Sequence, residues 1–406
     1  ERPQPFLGTR RDLAAQEQLQ VDSGAYRMLC RAAPEWPCLS FDFLPLPGQA
    51  LGPPRYPLDV GVVAASQAEH AAQNALYVLR FADVGVTQFD DDEAPPEDSF
   101  EEAEPVLLGL RVPLPAAANR VRVLHAPAVA AVMSEQSQLL LADLRTLLPP
   151  LQALPRDTPA LVPATTALQT VELGAEGFAL GWSGLRAGEL AAGTVAGALH
   201  LLAAGEGGQW ARVRWWKAHG GAVEDLAFSP TDPFALASCS ADQHVVVHDT
   251  RSAAPALSIH AHPCDVNALS WNAKSPALLA TGAEDGGVRV WDLRQPGRTA
   301  LSHLGWHTEP VVSVGWAPHD EWSLAVGAGD DRVSLWDLSV EPDAAAPDLA
   351  GVPDQLLFLH QGVEELREAG WHPLLHNVLF CTAASGFHLF EPALDDALSL
   401  DSADEP

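Results

Sequence analysis

His219-Gly-Gly-Ala-Val-Glu-Asp-Leu-Ala-Phe228, followed by Ala237-Ser-Cys-Ser-Ala-Asp242 and Val245-Val-Val-His-Asp249, decides how this chain folds, because the pattern returns twice without a gap. The second copy starts at His262 and runs through Val266-Asn-Ala-Leu-Ser-Trp271 and Ala280-Thr-Gly-Ala-Glu-Asp285 to Trp291-Asp292. The third starts at His307 and runs through Val311-Val-Ser-Val-Gly-Trp316 and Gly327-Ala-Gly-Asp330 to Trp336-Asp337. In each copy the His precedes a turn Asp by 23 residues, and six residues later stands a Trp, or His248 in the first copy. A ruler used three times marks a repeat architecture, in which each unit buries its apolar face against its neighbours.

Alternating runs such as Val245-Val-Val-His248 and Val288-Arg-Val-Trp291 read as half-buried strands, and the Asp, Gly, Pro and Ser between them as turns. Each copy is therefore one four-stranded sheet. Inside it a hydrogen-bonded chain is expected to run from the His through the turn Asp and a strand hydroxyl to the Trp. The residues are His219, Ser238 and Asp242; His262, Thr281, Asp285 and Trp291; and His307, Asp330 and Trp336. His, Ser and Asp together suggest a hydrolase triad, but recurrence at one spacing points to structure, since a catalytic set is needed once.

Weaker copies extend outward in both directions. Phe178-Ala-Leu-Gly-Trp182 with Ala198-Leu-His-Leu-Leu202 keeps the rhythm without the Asp, as do Arg120 to Leu124, Val129 to Met133 and Leu139 to Ala142. Leu76 to Phe81 belongs to an earlier copy, and a last one runs from Leu356 to Phe390 with Ala384 or Ser385 in place of the Asp. The count is seven, which predicts an all-β, seven-bladed propeller over 55–391. Pro37-Cys-Leu-Ser-Phe-Asp-Phe43 is expected to close the ring against the final blade, leaving no long open edge.

Charge narrows the function. The 406 residues hold 53 acidic and 23 basic side chains, a net charge of −30, and only Lys217 and Lys274 are lysines. Such a field repels phosphate backbones and attracts basic proteins, so direct nucleic-acid binding is not expected. Three acidic stretches stand outside the blades: an insert at 89–104 and a tail at 392–406, both expected to be disordered, and a loop at 341–354. Five scattered cysteines form no Cys-x-x-Cys pair, so neither a zinc site nor a disulfide framework is expected. No phosphate loop, zinc helix or nucleophile elbow is present, no cofactor is implied, and no apolar run is long enough to cross a membrane. A monomer without enzymatic activity is expected. The chain begins at Glu1 rather than Met, which leaves a preceding segment open.

Residues 11–45 read as an N-terminal helix, Arg11 to Ala33, plus the ring-closing strand, with Leu13, Leu19, Tyr26, Met28 and Leu29 as an apolar stripe. A helix beside the acidic loop would form a groove for a basic amphipathic helix. The expected partner-binding residues are Tyr26, Met28 and Leu29 with Glu341, Asp343, Asp348, Asp354, Leu356, Leu357 and Phe358.

These copies resemble the WD-repeat family. Glu35-Trp-Pro-Cys-Leu39 and Gln355-Leu-Leu-Phe-Leu-His-Gln-Gly362 resemble elements of the retinoblastoma-associated histone-binding WD proteins. The glutamate-rich WD-repeat proteins are more similar still, through Pro37 to Asp42, Gly177 to Ser183, Val223 to Leu226 with Ala237 to Asp242, and Ser385-Gly-Phe387. One departure is the acidic insert, which is short and interrupted by Pro95-Pro96. The resemblance implies a chaperone in the nucleus and nucleolus that shields a basic large-subunit ribosomal protein of L-three type during ribosome biogenesis. Histone binding is the implied alternative. Trp291-Asp-Leu-Arg294 also matches the Trp-Asp-x-Arg signature of substrate receptors that bind a cullin-ligase adaptor, and His248-Asp-Thr-Arg251 nearly does.

Overall fold

The computed structural model describes residues 22–87, 104–158, 161–252, 254–295, 299–341 and 352–394. They form seven antiparallel sheets arranged as the blades of a propeller. From inner to outer strand, the fourth blade is Val223–Phe228, Ala235–Ser240, His244–Asp249 and Pro255–His260. The fifth is Val266–Trp271, Leu278–Ala283, Val288–Asp292 and Ser302–Leu304, and the sixth Val311–Trp316, Ser323–Ala328, Arg332–Asp337 and Leu356–His360. The third, Ala179–Trp182, Glu189–Gly193, Ala198–Ala204 and Trp210–Lys217, and the second, Ala118–Leu124, Val129–Ser134, Gln138–Asp143 and Leu168–Glu172, repeat the plan without the His–Asp signature. Each inner strand touches the inner strands of both neighbours, so the ring is closed.

The core lies between blades. Ala280 and Val290 of the fifth pack with Val311, Val314 and Leu324 of the sixth, all buried. Alternation puts one set of each strand's side chains toward the preceding blade and the other toward the next, which is why two-sided apolar strands suit this architecture. The one α-helix among the described residues is Leu148–Gln152.

The N-terminal segment differs from expectation. Residues 11–21 lie outside the described set, but 22–33 are not helical beyond a single 3₁₀ turn at Ser23–Ala25: Tyr26–Ala32 is a strand. Met28 and Cys30 are buried while Arg27 and Arg31 face solvent, a period of two. The stripe at Tyr26, Met28 and Leu29 was compatible with either period, and sheet pairing decided it. This strand, not Pro37–Phe43, closes the ring, running antiparallel to Gly386–Pro392 as the outer strand of the seventh blade. That blade continues inward through Leu379–Ala383 and Leu366–Trp371.

Cys38–Phe43 is instead the inner strand of the first blade, followed by Leu58–Ser66, Ala75–Val84 and Val106–Pro113, with the short parallel strand Val162–Pro163 on its outer edge. The stretch 26–43 is thus shared between two blades and is not a separate module. A second correction concerns Leu356–His360, which completes the sixth blade and does not begin the seventh. The first six blades each take their four strands in chain order, and only the seventh is completed from the other end of the chain, by Tyr26–Ala32.

Candidate functional site

The buried polar chains come first, because they resemble chemistry. In the fourth blade His219 Nδ1 lies 3.1 Å from Asp242 Oδ1, its Nε2 lies 2.8 Å from Ser238 Oγ, and Ser238 Oγ continues to His248 Nε2 at 2.9 Å. In the sixth, His307 meets Asp330 at 3.0 Å and Ser334 at 2.7 Å, and Trp336 Nε1 donates to Ser334 at 2.7 Å. Here the hydroxyl comes from the third strand of the blade, not the second, which the sequence reading missed. The fifth blade keeps His262 to Thr281 (2.8 Å) and Trp291 to Thr281 (3.0 Å). His262 Nδ1, however, has no hydrogen-bond partner, and Asp285 accepts from Gly287 N. Ser238 is fully buried and its oxygen bridges two imidazoles, so no substrate reaches it.

A fourth chain replaces the signature where the ring closes. Tyr26 Oη lies 2.7 Å from His360 Nδ1, and His360 Nε2 lies 2.9 Å from His388 Nδ1. Buried Cys381 stands within metal-binding reach of both histidines. Both nitrogens of His360 are already engaged, and Phe390 stacks on its ring at 4.1 Å, so the group is read as packing.

The expected partner groove divides under the structure. Tyr26 does meet Phe358, edge to face at 5.2 Å. Met28 is fully buried and cannot touch a partner; Leu29, Leu356, Leu357 and Phe358 are half-buried, and Glu341 and Asp354 are exposed. Asp343 and Asp348 lie outside the described residues, as does most of each acidic stretch. Arg294 of the Trp-Asp-x-Arg signature is exposed and forks onto Asp292 at 2.8 and 2.9 Å.

Strand order separates two ends of the ring. The second-to-third-strand turns and the blade-to-blade links fall at one end; the remaining hairpins fall at the other. The link end, formed by 33–37, 67–74, 114–117, 135–137, 173–178, 194–197, 218–222, 241–243, 261–265, 284–287, 305–310, 329–331, 361–365 and 384–385, contains no Lys or Arg. It carries Glu35, Glu69, Glu135 and Glu176 over the first three blades. Asp242, Asp265, Glu284, Asp285, Glu309, Asp330, Asp331, Glu364 and Glu365 follow over the rest. Beside them, burial raises the pKa of Glu224 against the pull of Arg120, and Asp265, Asp225 and Glu284 add to the rise by repulsion. Arg111, Arg332 and Arg367 of the flanking strands pair with Glu35, Asp330 and Glu365 of this end, and at the hairpin end Arg145, Arg186, Arg251 and Arg294 sit on Asp143, Glu189, Asp249 and Asp292 at 2.6–2.8 Å.

On the axis lies a cavity of about 260 Å³ lined by Phe41, Asp42, Arg120, Arg122, Asp225 and Glu368 among others. Glu368 Oε1 accepts from Arg120 (3.0 Å) and Arg122 (2.6 Å), and its Oε2 from Phe41 N (3.1 Å). Burial raises this carboxyl's pKa, but the two guanidiniums outweigh burial and hold it at about 2. Asp42 and Asp225 accept backbone N–H groups of the following blades, from Val123 at 2.7 Å and Leu269 at 3.1 Å, and burial raises both. These groups tie inner strands together. The sequence reading missed both the cluster and the acidic end; the signal for the latter was a carboxylate in ten of the fourteen links and turns.

Comparison with known proteins agrees with this architecture. The family model for the histone-binding protein RBBP4, a component of the CAF1 complex, matches residues 16–83, and that of the WD domain, G-beta repeat, matches 210–249, 254–292 and 298–337. Ribosome assembly protein rrb1 of Schizosaccharomyces pombe is 34% identical over 93% of this chain and 82% of its own length. Glutamate-rich WD repeat-containing protein 1 of Dictyostelium discoideum is 32% identical over 93% and 83%. Protein HEAT STRESS TOLERANT DWD 1 of Arabidopsis thaliana is 31% identical over 96% and 90%.

Proposed function

We propose a function from one premise: this chain belongs to the glutamate-rich WD-repeat family that includes ribosome assembly protein rrb1. It is a non-enzymatic assembly chaperone of large-ribosomal-subunit biogenesis, acting in the nucleus and nucleolus. It binds and shields a basic ribosomal protein of L-three type. The observation that carries this reading is the link end, whose loops hold carboxylates over most of the ring and no Lys or Arg of their own, with Glu35, Asp330 and Glu365 paired to arginines of the flanking strands. Such a surface gathers a cationic polypeptide by long-range attraction and keeps its lysines and arginines off nucleic acid.

The test is the complex with the purified ribosomal protein, titrated against salt. The wild-type chain forms a one-to-one complex that weakens as salt rises. Glu284→Lys/Glu309→Lys/Glu364→Lys weakens it at least tenfold and flattens the salt dependence. No complex at low salt, or a triple variant that binds like wild type, overturns the reading.

A histone-binding reading is favoured by one observation, the RBBP4-type match over 16–83. Its site would be the side where Tyr26 and Leu29 pack with Phe358, on the strand that also carries Leu356 and Leu357, with Glu341 and Asp354 in the preceding segment. A histone H-four helix peptide that binds there is weakened by Phe358→Ala and untouched by the triple reversal. The opposite pattern rejects this second reading.

A further inference from the structure

Trp210–Lys217, the outer strand of the third blade, breaks the charge pattern of the molecule. Within its eight residues it holds Arg212, Arg214 and Lys217 and no acid, in a chain of net charge −30. None of the three pairs with a carboxylate among the described residues. Arg212 lies 3.4 Å from His200, Arg214 donates to Thr250 O at 2.7 Å and covers Trp216, and Lys217 donates to Ala196 O. With 53 acids available, three adjacent cations without one are unexpected.

The same strand exposes apolar surface. Val213 is 58% and Trp215 60% exposed, and one face of the indole stacks on His200. Outer strands usually blunt their edge with charge and keep large apolar groups away from it, since free N–H and C=O groups invite pairing. The equally long outer strand Val106–Pro113 is covered by Val162–Pro163. Here cover stops at Trp210, whose backbone Gln169 brackets from both sides. A register shift opposite Leu201 and Leu202 bulges Val213 and leaves 214–217 in regular antiparallel register with 198–201.

We propose that this edge binds an extended acidic segment of a partner protein by strand addition against 214–217. Trp215 and Val213 cover its apolar side chains, and Arg212, Arg214 and Lys217 meet its carboxylates. Main-chain pairing supplies affinity and the alternate side chains supply selectivity. A short acidic peptide fits better than nucleic acid: a polyanion extends beyond the patch into the negative field of the whole chain, whereas a strand of a few residues ends within roughly two Debye lengths (each about 8 Å at physiological salt). This surface runs along the outer side of the third blade, reaches the link end only at Lys217, and takes the opposite charge.

The probe is a fluorescein-labelled pentapeptide of alternating Glu and Val, titrated into the full chain and read by anisotropy. Arg212→Glu/Trp215→Ser, both on the surface, is checked for native circular dichroism. It binds the probe at least tenfold more weakly, and Arg212→Lys/Trp215→Tyr recovers binding to within threefold. Methylation of alternate backbone amides of the probe costs a similar factor. The Lys-for-Glu peptide and the basic ribosomal protein bind the double variant as they bind wild type, which separates this surface from the chaperone reading. The proposal fails if the double variant binds the probe normally, if amide methylation has no effect, or if a uridine dodecamer is the ligand the variant loses.

Discussion

In the fourth and sixth blades the polar chain joins a His and an Asp 23 residues apart, inside one repeat. Where the ring closes, Arg122 meets Glu368 across 246 residues and Tyr26 meets His360 across 334. The first kind of contact makes a blade rigid by itself; the second holds blades to one another. A ring needs both, because an unclosed propeller would leave an inner strand and an outer edge open to water and to other chains.

The largest effect is expected at the closing cluster. Glu368→Gln leaves the half-buried Arg120 and Arg122 beside a neutral amide, with Asp42 and Asp225 still near Arg122, and a loss of about 2–4 kcal/mol is expected, below the most that a fully buried pair loses. Denaturant unfolding with an unchanged slope checks it. Acid sharpens the result. The folded pKa of Glu368 is about 2 against an ordinary 4.5, so its contribution is complete above pH 4.5 and is lost as pH falls toward 2. The Gln variant should lack that part of the acid sensitivity. A loss below 1 kcal/mol would mean that sheet pairing alone closes the ring.

Within the repeats, the comparison is sharpened by removing the same residue from a complete and an incomplete chain. His307→Ala removes one hydrogen bond from Asp330, which keeps Arg332, and one from Ser334, which keeps Trp336, and should cost about 2–3 kcal/mol. His262→Ala loses one hydrogen bond, and the nitrogen it removes was unpartnered on its other side, so about 1–2 kcal/mol is expected. Equal losses in thermal unfolding would show that the His–Asp contact contributes nothing.

The same contrast explains what could be read from the sequence. His219, Asp242, His307, Asp330 and Trp336 were legible because their contacts lie at fixed short spacing, and so were the strand runs as far back as Leu76. Tyr26–Ala32 was not legible as a strand, since its partner Gly386–Pro392 sits at the other end of the chain and the apolar spacing satisfied a helix as well. Glu368 is one carboxylate among 53, and only the ring brings it to Arg120 and Arg122. Of the expected binding residues, Phe358 lies edge to face against Tyr26. Met28 failed because strand periodicity turned it inward. The acidic end escaped notice because its residues are scattered singly over the links, while long acidic runs drew the eye.

A milder break uses pH on the closing histidines. Burial lowers His388 from 6.5 to about 4. Below pH 6.5 the unfolded chain takes up a proton that the folded imidazole refuses, so stability falls as pH drops from 6.5 to 4 and is flat above that window. His388→Thr should remove at most one proton from the measured slope between pH 6 and 4.5. An unaltered slope would assign the acid sensitivity to the other buried histidines.

The smallest effect tests the N-terminal strand at one atom. Tyr26→Phe keeps the edge-to-face packing on Phe358 and the pairing of 26–32 with Gly386–Pro392, and removes the hydroxyl next to His360 Nδ1. The loss should be about 1 kcal/mol, the net worth of a single hydrogen bond. A cycle with His388→Thr then asks whether the two sites are coupled. If Tyr26, His360 and His388 act as one chain, the double variant loses less than the two single losses added together. Strict additivity would show that the bonds of Tyr26 and His388 to His360 act independently.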